Sequence, residues 1–269
     1  MDEQHHRLIR IALDALADDY GYALAGGYAI QAHHIVQRVS EDVDLFAPFA
    51  RARTEMPAAT ARVAAAYETA GYLVDVAQQV DTYTRLTVTD PATGTRTKVE
   101  LVAEFLHHPP VDSDLGPVLH PDDLAAGKTS ALFSRAEVRD AIDVDGLLKA
   151  GYTRARLMEL AAQNDAGFDP RMFADSLARV QRYTDKQFAA YRLTPAEADA
   201  IRQVFAAWQH QLTQPPPPGN TQADTHTSTP THPAHSPSNP TDHTPNPTPP
   251  ASDQPPPRPP DLGPSPRGR

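Results

Sequence analysis

The chain has 269 residues, 40% hydrophobic and 22% charged, with a formal net charge of −10 and no Cys. The missing thiols exclude disulfides, thiolate metal sites and Cys nucleophiles, and the acidic balance excludes a broad basic surface, so a polyanionic substrate has to be met by a local cluster of cations or by metal ions. No segment approaches the roughly 20 apolar residues that span a bilayer, and the N-terminus, acidic from Asp2, lacks the basic stretch and apolar run of a secretion signal; a soluble cytoplasmic protein with no membrane partner is expected.

From about Glu3 to Asp19, Leu8, Ile9, Ala12, Leu13 and Leu16 recur at helical spacing, with Gly21 as the stop. YALAGG then reads as a short buried strand running into a turn at Gly26-Gly27, YAIQAHHIV as a helix, and DVDLFAP as a second strand halted by Pro48. Pro57 is placed to open an Ala-rich helix that ends at Gly71. YLVDVAQQV, TYTRLTVTD and TRTKVELVAEF are rich in β-formers, and DPATG between the last two signals a hairpin turn.

His107 to His120 reads as a Pro/Asp-rich loop, and nearly everything after it as helix: PDDLAAGKTSALFS, AEVRDAIDVDGLLKAG, then roughly Thr153 to Asn164, Asp169 to Tyr191, and Thr194 to Leu212. Thr194, Pro195 and Glu197 give the last of these a capping box with Pro at its first position. From Thr213 onward the chain carries 19 of the 28 Pro and almost no large apolar residue, too little to offset the entropy of ordering. This Pro/Thr/Ser/His-rich tail is read as a disordered spacer without assigned function. Without it the chain holds 21 basic and 30 acidic residues, still about −9. The organisation expected is a β-containing part over 1–120, a helical part over 121–212, and the tail over 213–269.

Asp42 and Asp44, two apart on a strand, point to one face. Two carboxylates so close repel one another unless a cation sits between them, and Mg²⁺ takes one or two carboxylates and completes its shell with water and phosphate oxygens. An isolated Asp-x-Asp pair at a strand start is ordinarily just solvated. The Gly pair, between a strand and a helix, supplies a second signal, because such a turn lets backbone N–H groups approach a phosphate. Strand, Gly-Gly, helix, then Arg38-x-Ser40-x-Asp42-x-Asp44 is a compound pattern.

GGYAIQAHHIVQRVSEDVDLF resembles the Gly-Gly-x-Ala … Arg-x-Ser/Thr-x-Asp-x-Asp-Leu signature of nucleotidyltransferases with the DNA polymerase beta-type fold, in particular the AbiEii/AbiGii toxin family and its MenT-like relatives. LAAGKTSALFSRAEVRDAIDVDGLL is similar to that family's later helical segment at Lys128, Ala131, Leu132, Arg135, Arg139, Asp140 and Asp143, with Val144 where Leu is usual. The resemblance covers roughly residues 23–148. It implies an α+β fold, a mixed sheet of the nucleotidyltransferase type with flanking helices, followed by a helical half.

It also implies roles. Gly26 and Gly27 would face the triphosphate, Asp42 and Asp44 would hold Mg²⁺ or Mn²⁺, and Lys128 would neutralise phosphate charge. In isolation Lys128 is a solvated helix Lys. Asp140 and Asp143, three apart on one helical face, would lie at the active site; the alternative for Asp143 is an i,i+4 pair with Arg139. Glu100, alternating with Val99 and Leu101, is the candidate for a third metal-binding carboxylate, or else a polar residue on an open hairpin face. Arg38 and Ser40 would contact phosphate or brace the loop. His33 and His34, adjacent on a helix, point apart and make a poor metal pair.

The reaction implied is transfer of a nucleoside monophosphate from an NTP to an acceptor. For toxins of the family this acceptor would be RNA, in particular the 3′ end of tRNA, under control of a cognate antitoxin. One alternative is a small-molecule nucleotidyltransferase, whose cationic, aminoglycoside-like acceptor would suit an acidic protein. Another is a catalytically silent binding module, against which the intact Asp42, Asp44, Lys128 and Asp143 weigh.

Overall fold

The computed structural model describes residues 3–214. The expected Pro-rich tail lies outside the described residues apart from Thr213 and Gln214, which end the last helix.

The elements run α1 (Glu3–Tyr20), β1 (Ala23–Leu24), α2 (Gly26–Ala32), β2 (Asp42–Pro48), α3 (Phe49–Thr69), β3 (Leu73–Val80), β4 (Tyr83–Thr89), β5 (Arg96–Glu104), β6 (Val111–Ser113), β7 (Gly116–Val118), α4 (Pro121–Ser134), α5 (Val138–Lys149), α6 (Arg154–Asn164), α7 (Pro170–Val180), α8 (Asp185–Ala189) and α9 (Pro195–Thr213). The seven strands form one mixed sheet in the order β3-β4-β5-β2-β1-β7-β6. β2 runs parallel to β5 and β1 parallel to β7, while the other neighbours are antiparallel. The expected α+β class with a mixed sheet and a helical second half is what the chain adopts.

One sheet face is covered by α1 and α3. Val43, Leu45, Leu86, Val88, Val99 and Leu101 all point into that layer and are fully buried. The two helices are tied together by the Tyr67 hydroxyl, which donates to Leu8 O at 3.0 Å. The opposite face carries the alternate, polar residues of β2, β4 and β5. Beyond it, α4 packs on α2, α5, α6 and α7, around a second apolar centre in which Trp208 meets Phe173 edge-on at 5.2 Å.

Three local expectations are corrected. α3 begins at Phe49 rather than at Pro57, which sits inside the helix. Pro57 is exposed, so the carbonyl it leaves without an N–H partner faces solvent, and the buried Ala52 and Met56 hold the turns ahead of it in the core. The loop from His107 to His120 contains the β6–β7 hairpin, whose strands of three residues are too short to show a period. Asp169 to Tyr191 is two helices, because Thr184 and Gln187 form a capping box that starts α8 afresh.

Among the described residues no helix is long and apolar enough to cross a membrane.

Candidate active site

β2 turns Val43, Leu45 and Ala47 into the core and Asp42, Asp44 and Phe46 to the open face. Register then decides the neighbours. Parallel pairing sets Asp42 beside Lys98 and Asp44 beside Glu100, and the β4–β5 hairpin sets Arg85 beyond Glu100. The three carboxylates Asp42, Asp44 and Glu100 therefore share one patch of sheet. Arg85 Nε donates to Glu100 Oε1 at 2.9 Å, and Lys98 Nζ stands 3.7 Å from Asp42. Burial pushes the Asp44 carboxyl above its ordinary range; the Glu100 charge adds to this, and Lys128 opposes it.

The Gly pair serves these side chains. Gly26 has φ +61°, and a Cβ there would lie 1.7 Å from Asp44 Oδ2. At Gly27 a Cβ would lie 2.2 Å from Ser40 Oγ and 3.3 Å from the Arg38 guanidinium. The turn is thus shaped so that Asp44, Ser40 and Arg38 can close on its backbone. Gly26→Ala adds left-handed backbone strain of about 1–2 kcal/mol and displaces Asp44. We expect transfer to fall at least about 10²-fold, on the scale of losing one fixed charge-stabilising group. A variant with parental kinetics would show that Asp44 tolerates being moved.

The cations come from distant segments and meet on Asp143. Arg38 Nε and Nη2 donate to Asp143 Oδ1 and Oδ2 at 2.6 and 2.8 Å, and Lys128 Nζ lies 2.8 Å from Oδ2. Burial alone would raise the Asp143 carboxyl, but Lys128 and Arg38 together hold it below its ordinary range. Gly146, one turn along α5, lets the loop lie close: a Cβ there would come 2.1 Å from Val36 Cγ2, two residues before Arg38.

Asp143 is fully buried and bonded to two cations, an anchor for Arg38 and Lys128 more than a ligand facing the cleft. The sequence alternative of an Arg139–Asp143 pair is not what forms: Arg139 Nε lies 2.9 Å from Glu137 instead. Asp140, also buried, accepts from Arg135 Nε at 3.0 Å and Nη2 at 2.8 Å, and from Glu137 N at 2.9 Å as the capping box of α5. It thereby fixes Arg135.

Arg38, Lys128, Arg135 and Arg139 line one side of a cleft of about 840 Å³, and Asp42, Asp44, Glu100, Lys98 and Arg85 line its floor. Three carboxylate groups on adjacent strands, one of them pushed up by burial and then by Glu100, form the hard oxygen donor set that suits a divalent cation such as Mg²⁺. A second group, His108, His120 and Asp122, also lies within metal-binding reach. It suits Mg²⁺ poorly. The two imidazoles stack at 4.3 Å with planes 19° apart, so their lone pairs do not converge, and the Asp122 oxygens already accept from Tyr152 and Arg156 at 2.8 and 2.7 Å. His33 turns to the Leu119 carbonyl at 2.8 Å.

Two residues of the floor, Arg85 and Lys98, escaped the sequence reading. The hairpin turn at 90–94 carried the signal, because closing it with Thr89 opposite Arg96 sets Arg85 opposite Glu100. Tyr191, at the turn before α9, also lines the cleft and had no sequence signal. Arginines of the later helices are engaged within the fold: α6 spends Arg154 on Gln211 and Arg156 on Asp122, and α7 spends Arg179 on Ser176.

Two chains from Helicobacter pylori, one of them JHP933, are each 18% identical and cover 78% of this chain; 94% and 96% of their own lengths are covered, with TM-scores of 0.49 and 0.50. MenT4, a nucleotidyltransferase toxin from Mycobacterium tuberculosis H37Rv, is 16% identical over 77% of this chain and 81% of its own, with a TM-score of 0.54. At such identities the likeness to the latter two, with TM-scores of 0.50 and 0.54, shows the fold alone. No curated protein matches the chain by sequence. The sequence pattern of the family described as "Nucleotidyl transferase AbiEii toxin, Type IV TA system" matches residues 7–226, and the chain belongs to that family of toxin nucleotidyltransferases.

Proposed function

We propose that the protein transfers a nucleoside monophosphate from an NTP, with Mg²⁺ or Mn²⁺ held by Asp42, Asp44 and Glu100, to the 3′ end of an RNA such as tRNA, within the cytoplasm and under control of a cognate antitoxin. The observation that carries this reading is the facing of two charge sets across one cleft: three carboxylates on the sheet floor, and Arg38 with Lys128 anchored together on Asp143. A divalent cation bound there would supply positive charge to the triphosphate and to the attacking oxygen.

The remaining work falls to the chain. Arg38 and Lys128, held side by side, offer fixed positive charge to the phosphate oxygens, and Arg135, fixed by Asp140, extends that side. Charge fixed in advance needs no reorganisation as the pyrophosphate leaves. In this reading residues 1–120 supply the acidic floor and Arg38, and residues 121–212 supply Lys128, Arg135 and the Asp143 that holds Arg38 and Lys128 together.

The test uses the full-length protein and its Asp42→Ala/Asp44→Ala variant with Mg²⁺, each α-³²P-labelled NTP in turn, and total tRNA. Label in tRNA with the intact protein alone, abolished by EDTA, is the expected result and names the nucleotide. NTP binding without any labelled RNA would sink the RNA reading and point to a small-molecule or protein acceptor.

A further inference from the structure

The open face of β3, β4 and β5 continues the cleft floor away from the helices, and its charge is sorted along the strands. Towards one end stand Arg96, Lys98 and Arg85, with Thr87 and Thr89 opposite Lys98 and Arg96. Towards the other end stand Val102 and Glu104, beside Phe46 and the exposed Phe105. Arg96 and Lys98 are exposed, and Arg96 makes no ion pair with any of the described residues. Asp75, opposite Thr87, is the one acidic side chain β3 adds to this face.

The order of groups across the sheet is informative. From the helical side it runs Lys128, Asp143 and Arg38, then Gly26 and Gly27, then Asp44, Glu100 and Arg85. In phosphoryl transfer the attacking and leaving oxygens lie roughly in line through phosphorus. With the pyrophosphate on Arg38 and Lys128, the acceptor has to arrive from the opposite side of the carboxylates. Beyond Glu100 on that side stands Arg85, and along β5 from Glu100 follow Lys98 and Arg96. Arg85 and Lys98 are now balanced by Glu100 and Asp42, carboxylates that a bound cation would occupy, which leaves both free for another anion.

We propose that the Arg85–Lys98–Arg96 row on the open face of β4 and β5 is the track on which the phosphodiester backbone of the acceptor lies as its 3′ end enters the cleft. This rests on the RNA reading given above. It explains how a chain of net charge −10 meets a polyanion: one short basic row beside the reacting atoms, in place of a basic surface.

The experiment measures transfer from the preferred labelled NTP to total tRNA for the full chain, Arg96→Gln, and Arg96→Gln/Lys98→Gln, between about 50 and 200 mM salt. The expected result for the double variant is a KM for tRNA raised about tenfold. Its log–log salt dependence should be shallower by roughly 1 per lost phosphate contact. Arg96→Gln, remote from the carboxylates, should keep the parental affinity for NTP and give about half the change in slope. Parental KM and slope in both variants, while tRNA is still labelled, overturn the track and leave the RNA reading standing. Weakened NTP binding with unchanged KM for tRNA also overturns it, by giving these cations to the nucleotide. No labelling of RNA by the intact protein removes both.

Discussion

Replacing Asp44 with Asn is expected to lower nucleotidyl transfer by roughly 10³-fold while leaving the metal-free protein at least as stable as the parent. The two effects have one cause. Asp44 is pushed up by burial and by the facing Glu100, so its ionised form is uncomfortable in the empty fold and becomes useful only with a cation present. Because the folded carboxyl is raised above its unfolded value, stability is lost as pH climbs from about 4 through the folded pKa. Asn keeps the shape and removes that loss.

The measurement is a pair of melting curves in EDTA across pH, alongside steady-state transfer. The variant and parent should coincide below about pH 4 and diverge towards neutrality in the variant's favour. Added Mg²⁺ should stabilise the parent much more than the variant. A variant melting well below the parent at neutral pH would mean that Asp44 is a structural residue and that its inactivity says nothing of chemistry. Stability given up at a functional site is the expected pattern.

Asp143→Ala is expected to do the opposite: to destabilise the fold by about 3–5 kcal/mol, which for a domain of this size is a fall in Tm of roughly 6–20 °C, and to abolish transfer as well. Arg38 is 8% exposed, and without Asp143 it loses both carboxylate hydrogen bonds and keeps only the Asp140 charge, with which it makes no ion pair. Lys128→Met should cost much less, about 1–2 kcal/mol, because Asp143 keeps the two bonds from Arg38, yet it should lose transfer to a similar degree. Comparing the two by thermal melting separates anchoring from charge supply. The acid side adds a check. The Asp143 carboxyl is held below its unfolded value, so its contribution is present above about pH 4 and fades as pH falls through the folded pKa. The Ala variant should therefore have a flatter acid limb than the parent. Equal melting of Asp143→Ala and parent would overturn the anchoring role.

The site was legible in parts, and the parts differ in kind. Asp42 and Asp44 could be placed on one face because a strand's period of 2 needs only local sequence, and the structure bears this out. Gly26 and Gly27 were legible as a tight turn, but their contacts were not: what a Cβ would strike is Asp44 and Ser40, brought back from further along the chain by the loop after α2. Asp140 and Asp143 lie three apart on one helical face, and the resemblance placed both at the site. They differ because one faces the α5 N-terminus and Arg135 while the other faces Arg38 and Lys128, and no helical periodicity distinguishes those surroundings.

The sequence by itself determined the class of fold, five of the seven strands and most helices in chain order, the acidic pair, and the resemblance that the family assignment bears out. These are set by short-range spacing, capping and turn chemistry, which act within a few residues. Only the tertiary structure decided that β5 lies parallel beside β2, so that Glu100 joins the carboxylates, and that Arg38, Lys128 and Asp143 form one buried group. Strand register and buried ion pairs depend on contacts up to 105 residues apart in the chain, and they arise only when the whole core closes and excludes water from them.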